Sequence, residues 1–342
     1  MFLFFMITRL RMKVILYGIG SIGSRIARTV LNKSWLQVVG AVDAAPDKIG
    51  KDLGEVLGLK RNTGIIIQEA DDVISKVQAD VVIHSTSSRI SEVFSQIETC
   101  LKSELNVVST CEELAFPYLK YPELSKQLDV TAKEHNVTVL GTGINPGYLM
   151  DTLPIVLTAP CIEVDSITVR RMMYSGNRRD SYQKKIGTGL TQNQFERMIQ
   201  EKKITGHVGL EESISMVAAA LNWKLDEIVV QPPVSVITEN DITTTFTTVL
   251  SGQVCGLESI AFGIRNNIKV ITLEFISHAN IKQPYDSISI KGTPDIYQKI
   301  NGGVNGDIGT IAMLINSIPK VLNAPDGLLT MKEMILPSYQ SF

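Results

Sequence analysis

The chain has 342 residues, of which 44% are hydrophobic and 20% charged, enough material for a sizeable core and for two domains or one domain with a large insertion. Its formal net charge of -2 gives no basis for nucleic-acid binding or for a polybasic membrane anchor. Cys100, Cys111, Cys161 and Cys255 are far apart and form no CxxC pair, which argues against both a zinc knuckle and a disulfide framework.

The opening MFLFFMITRLRMKV starts with an apolar run of about eight residues, where a membrane span takes roughly 20. No basic region precedes the run and no clear cleavage site follows it. Residues 1–11 are therefore read as a dispensable extension, with an arm against a partner subunit as the alternative. The expected location is cytoplasmic, with no membrane partner.

From Lys13 to about Thr142, short apolar runs alternate with helical stretches: KVILYG, QVVGAVD, GIIIQ, DVVIHST, NVVST and VTVLGTG. Near-continuous apolar runs fit strands covered on both faces of a parallel sheet. In SEVFSQIETCLKS, Val93, Ile97 and Leu101 make one helical stripe. The predicted fold is α/β, a Rossmann-type parallel sheet over residues 12–147.

The first βα turn carries Gly18-x-Gly20-x-x-Gly23, with Ser21 and Ile22 opening the helix. The first glycine makes the turn, the second lets a pyrophosphate approach, and the third packs helix on strand. The helix N-terminus adds N–H donors and a positive dipole end. Asp43 stands 20 residues after Gly23, at the end of the second strand, where a carboxylate holds a ribose 2′-hydroxyl and repels a 2′-phosphate. NAD is the expected cofactor, and Lys48 nearby leaves NADP open. Ser85, Thr86 and Ser87 end the DVVIHST strand, where small hydroxyls fit a ribose or nicotinamide edge; ST-turn and helix-capping chemistry is the alternative.

VVSTCEELAFP follows, a strand, a polar end and two glutamates opening a helix. Beside a nicotinamide this is where a hydride moves, and alcohol chemistry would call for a cation there. Next, GTGINPGYLMD makes a turn in which Asn145 can donate its amide to cofactor or substrate, or simply serve the turn.

Residues 148–304 change texture, with β-rich CIEVDSITVRRMMY, DEIVVQPPVSVI, DITTTFTTVLSG, NIKVITLEFISH and YDSISIKG. They predict a second α+β domain with a mixed, mainly antiparallel sheet for substrate binding and oligomerisation, with helices near Gln192–Glu201 and Glu212–Leu221. The ITTTFTTVL run favours a pleated, half-exposed surface. Alternation sends Arg170 and Arg171 to opposite faces, so one of them can clamp a substrate carboxylate; Arg170 is the candidate, with Tyr174 lining the same pocket. His207 precedes a helix and can orient substrate or relay a proton, or be a buried structural histidine. The other histidines, His84, His135 and His278, share no ligand spacing, so no metal is expected. Residues 305–342 predict a helix, broken near Pro319, that returns to the first domain.

Together STCEELAFP, VLGTGINPGYLMDTLP, GHVGLEESISM and INGGVNGDIGTIAMLINSIP resemble the 2,4-diaminopentanoate dehydrogenases and related native amine dehydrogenases, from Met12 almost to the end. The resemblance implies the two-domain architecture of dihydrodipicolinate reductase and NAD(P)-dependent oxidative deamination of a primary amine, reversibly the reductive amination of a ketone. It implies 2,4-diaminopentanoate or a similar short diamino acid as substrate, and a homodimer. The reductase's His-His run is missing; RRMMYSGNRRDSYQKKIG stands there instead. A cyclic imine reductase and a non-catalytic NAD-binding sensor are the alternatives.

An amine substrate accounts for the glutamates. It arrives as an ammonium with a pKa of about 10.4, like lysine. A carboxylate attracts it, takes its proton and then favours the iminium cation left behind. Related oxidoreductases carry an EKPLA run after the same strand; laying CEELA on it puts Glu112 at the lysine position. Glu112 is favoured over Glu113, which is expected to face its helix or solvent. Both glutamates could instead serve only the helix dipole.

Overall fold

The computed structural model describes residues 11–341, so the expected N-terminal extension lies outside the described residues apart from Arg11. The chain divides into two compact units. One runs up to Ile144 and resumes at Asp307; the other is Asn145–Gly306.

The first unit holds a seven-stranded sheet, every pair of it parallel. In chain order its strands are β1 (Met12–Tyr17), β2 (Leu36–Val42), β3 (Ile67–Gln68), β4 (Val81–His84), β5 (Asn106–Ser109), β6 (Thr138–Gly141) and β16 (Gly327–Leu329). Their spatial order is β16-β6-β5-β4-β1-β2-β3, so the winding direction reverses between β1 and β4. The helices are α1 (Ser21–Leu31), α2 (Leu53–Val56), α3 (Ala70–Val73), α4 (Ile90–Lys102), α5 (Pro122–Glu134) and α10 (Gly306–Val321). The α4 stripe Val93, Ile97 and Leu101 is fully buried against Val82, Val107 and Val139, each side chain contributing about 1.5–3 kcal/mol of transfer free energy.

Two expectations about the C-terminus change. Helix α10 is not broken at Pro319: it continues to Val321. A proline in the last turn forfeits one i→i−4 bond close to where the ladder ends anyway. Beyond it, β16 adds a strand to β6, and Tyr118 secures it by donating its hydroxyl to Leu328 O at 2.9 Å.

The second unit contains α6 (Thr152–Leu157), α7 (Asp180–Lys185), α8 (Gln192–Gln200) and α9 (Leu210–Ala220). Its large sheet comprises β7 (Glu163–Tyr174), β8 (Glu227–Val230), β9 (Val234–Ile237), β12 (Val254–Arg265), β13 (Ile268–His278), β14 (Tyr285–Thr293) and β15 (Ile296–Asn301), in the order β15-β14-β7-β13-β12-β8 with β9 also on β12. Only β7 and β13 run parallel, so the sheet is mixed and mainly antiparallel as expected. The threonine-rich run does not make a long strand. It gives only β10 (Ile242–Thr243) and β11 (Thr248–Val249), because Thr244 Oγ1 donates to Thr247 O and accepts from the N–H groups of Phe246 and Thr247. Local side-chain bonds here outcompete the ladder.

Candidate active site

The winding reverses at the ends of β1 and β4, the position at which doubly wound sheets bind nucleotides. A cleft of about 640 Å³ opens there, lined by the glycine loop, Asp43, Lys48, Thr86 and Gln96. The three glycines are needed for different reasons. Gly18 has φ +93 and its backbone lies so close to Ser85 that a Cβ would come within 2.7 Å of Ser85 O. A Cβ on Gly23 would sit 1.8 Å from Gly18 O. At Gly20 a Cβ would meet nothing within 4 Å: that space is open to a ligand. Helix α1 starts from Gly20 with no side-chain cap and no acid in its first turn, so the N–H groups of Ser21, Ile22 and Gly23 face outward for an anion. These residues fit the pyrophosphate of a nicotinamide dinucleotide.

Asp43 is built into the loop. Its carboxylate accepts the N–H of Ile19 at 2.7 Å and that of Ala45 at 2.8 Å, and pairs with Lys48 Nζ at 3.0 Å. Lys48 Nζ also donates to Ile19 O at 3.0 Å. Burial pushes the Asp43 carboxyl up, but the bonds from Ala45, Lys48 and Ile19 outweigh it and hold the group below the usual carboxylate range. Glu69 and Asp71 line the same cleft, two acids that the sequence reading passed over although EADD follows the third apolar run.

The β4 hydroxyls separate. Ser85 is buried and donates to Gly18 O at 3.0 Å, so it braces the glycine loop. Thr86 lines the cleft and donates to Gln96 at 2.8 Å. Ser87 bonds Glu92 and accepts the Arg89 N–H, the helix-opening role weighed as the alternative.

The two glutamates also separate, on a short 3-10 turn, Glu112–Ala115, rather than an α-helix. Glu113 faces neither solvent nor its own helix. It is buried, and accepts the Ile90 N–H that opens α4 at 3.0 Å, Lys120 Nζ at 3.1 Å and Tyr121 Oη at 2.9 Å. A carboxylate holding three donors is occupied as a brace between turn and helix. Glu112 is half-buried beside Cys111, whose N–H is fixed by Ser109 Oγ at 3.1 Å.

In the second unit Arg170 is not the inward arginine. It pairs with Glu274, its cross-strand neighbour, and its side chain is 43% exposed. Arg171 is the one turned in, 1% exposed, with Asp286 at 3.4 Å and Val304 O as partners. Arg178 is also buried, its guanidinium 4.3 Å over the Tyr182 ring, and Tyr182 Oη is 2.8 Å from Ser277 Oγ. Arg178 comes from the basic run NRRD, and such a run carries no signal of which member is covered. Tyr174 folds back over Gly176, where a Cβ would lie 2.4 Å from its hydroxyl. His207 stacks on Phe275 with centroids 4.2 Å apart. Burial, then the positive charges of Lys185 and Arg171, push its pKa down to about 3, so the ring is neutral. Asn145 is buried and begins this unit with a cis bond to Pro146.

Among the described residues, no group of three His, Cys, Asp or Glu side chains is placed to hold a metal, and no helix is long and apolar enough to cross a membrane.

Known proteins match both units. The dihydrodipicolinate reductase N-terminus family matches residues 12–111, and the 2,4-diaminopentanoate dehydrogenase C-terminal domain family matches residues 148–340. The 2,4-diaminopentanoate dehydrogenase of Acetoanaerobium sticklandii is 34% identical over 333 residues, 96% of this chain and 94% of that protein. An amine dehydrogenase of Streptomyces virginiae is 26% identical over 219 residues, 63% of this chain and 60% of that protein. The solved amine dehydrogenase of Mycobacterium smegmatis shares the fold, with a TM-score of 0.84 at 23% identity over 96% of this chain and 97% of that one. On a match that spans both units, the chain belongs to the 2,4-diaminopentanoate dehydrogenase family, oxidoreductases acting on CH–NH2 groups.

Proposed function

We propose that the protein deaminates a short diamino acid, 2,4-diaminopentanoate or a close analogue, using NAD in preference to NADP, and that Glu112 is its catalytic carboxylate. The observation that carries the proposal is the placement of the glutamate pair at the end of β5: Glu113 is buried as a brace to Ile90, Lys120 and Tyr121, and the half-buried Glu112 is the one that takes the lysine position of the EKPLA run. Bound in the cleft, the nicotinamide would accept a hydride from the carbon bearing the amine. Glu112 attracts the substrate ammonium, accepts its proton, and stabilises the iminium cation that remains. In the reverse direction the same group, protonated, assists loss of water from a carbinolamine.

NAD is favoured because Asp43, Glu69 and Asp71 surround the cleft with negative charge and the nearby lysine, Lys48, is tied to Asp43. A 2′-phosphate would meet repulsion there. The substrate carboxylate is assigned to Arg178 of the second unit, whose guanidinium fork suits a planar anion; neutral His207 and Asn145 are assigned to orient the substrate. A homodimer is the proposed assembly. The test is NADH formation with a panel of amines at alkaline pH. Diamino acids should be oxidised and their decarboxylated counterparts should not. Equal turnover of both would remove the carboxylate clamp, and no turnover of any amine would remove the proposed reaction.

A further inference from the structure

His84 ends β4 with no solvent exposure, edge-on to Tyr17 at 5.3 Å. Its ring bonds in two directions. Nδ1 is 2.9 Å from Ser109 Oγ, and Ser109 Oγ accepts the N–H of Cys111, the residue before Glu112. Nε2 is 2.8 Å from Gln96 Oε1 and 3.0 Å from Thr86 Oγ1, and Thr86 donates to the same Gln96 oxygen. Gln96 and Thr86 line the cofactor cleft. The proton count follows from the partners. Gln96 presents an oxygen, which only accepts, so Nε2 carries the hydrogen. Nδ1 is then an acceptor, and the Ser109 hydroxyl donates to it while accepting from Cys111. Both ring nitrogens of His84, the Ser109 hydroxyl and the Cys111 N–H thus have partners, and burial keeps the ring neutral by pushing its pKa down to about 4.

We propose that His84 is a positioning residue that holds the cofactor-facing pair Thr86–Gln96 and the Glu112-bearing turn in one register. The catalytic half of this inference rests on Glu112 being the acting carboxylate; the cofactor half does not.

Two substitutions divide the ring's bonds. Asparagine is long enough to reach Ser109 but not Gln96, and glutamine reaches Gln96 and Thr86 but not Ser109. His84→Asn should weaken NADH binding about tenfold, with the smaller part of its loss in turnover; His84→Gln should lose about tenfold in turnover at saturating NAD, with the smaller part in NADH affinity. A merely structural histidine would lower both quantities together, in step with the melting temperature, in both variants; that outcome overturns the proposal. NADH titration needs no amine. If the wild-type protein oxidises none, the proposed function fails by itself, and the order of the two NADH affinities still decides. Should neither variant fold, 15N NMR of the wild-type imidazoles decides. The expected result is a buried Nε2–H tautomer whose shifts move on NADH addition. An Nδ1–H tautomer, or a ring indifferent to NADH, would overturn the inference.

Discussion

Glu112 and Glu113 share a turn and a chemistry, and their surroundings assign them different work. Glu113→Gln removes the charge facing Lys120 and weakens the cap on α4, so it should cost about 1–2 kcal/mol of stability, read from denaturant unfolding. Unchanged stability would mean that the three bonds to Glu113 contribute nothing. Asp43→Ala should narrow the preference for NAD, measured as the ratio of kcat/KM values for the two cofactors. A wild-type protein more efficient with NADP would contradict the placement of Asp43 at the ribose. His207 has a pKa depressed below its unfolded value of about 6.5 to about 3 in the fold. Between these values the unfolded chain binds the proton and the folded chain does not, so this group destabilises the fold as pH falls through that window. Relative to His207→Phe, the wild-type protein should therefore lose stability as pH drops below about 6.5. A difference that stays flat with pH would show the ring to be protonated in the fold. The residues legible in the sequence are those marked by a fixed spacing: the glycine loop and Asp43. Gln96, Glu69 and Asp71 reach the cleft from other elements, and no local pattern marks them. For the arginine pair, alternation showed that only one points inward; which one depends on the β7 register with β13 and β14.

Elements were legible where burial dictates composition. The apolar runs became β1 to β6, with both faces covered in β4 and β6 and only the edge strand β3 left short and half-exposed, and the Pro232-Pro233 break separates β8 from β9 because proline cannot donate to a ladder. The threonine run misled because β propensity describes a surface for packing, while hydroxyls close to the backbone make their own bonds. β16 escaped notice because three residues carry no period. It can still be tested: a chain ending at Asn323 loses β16 and leaves Tyr118 Oη without its Leu328 acceptor. That chain should melt several degrees lower, since about 1 kcal/mol shifts the melting point of a large domain by roughly 2–4 °C. An unchanged melting point would make the seventh strand dispensable. Gly209, with φ +102 and Pro146 Cδ 2.4 Å from the place of a Cβ, admits no side chain. Gly209→Ala should be among the most damaging single changes before α9, seen as lost soluble protein or a lowered melting point; a normal melting curve would contradict the packing at Pro146.

At the scale of the whole molecule, the chain builds its nucleotide-binding unit from both ends. Arg25 on α1 meets Asp307 at the start of α10 at 2.9 Å, and Ile144 N donates to Thr310 Oγ1 at 3.3 Å, so residues distant in sequence close one unit. Alternating strands and helices announced that unit, and its return segment was visible as a helix expected to come back to it; the strand β16 that follows the helix was not. The fold accounts for a nicotinamide cofactor and the family for amine chemistry; the proposed mechanism rests on a single carboxylate. The most direct measurement is the turnover of Glu112→Gln in NAD-linked oxidation of 2,4-diaminopentanoate, with NADH affinity determined on the same preparation. Loss of the charge should lower turnover by roughly 100-fold or more, the scale of a positioned acid–base group, while NADH affinity should stay close to wild type, since the glycine loop and Asp43 are the groups proposed to hold the cofactor. Turnover near the wild-type value would remove Glu112 from the mechanism and contradict the account.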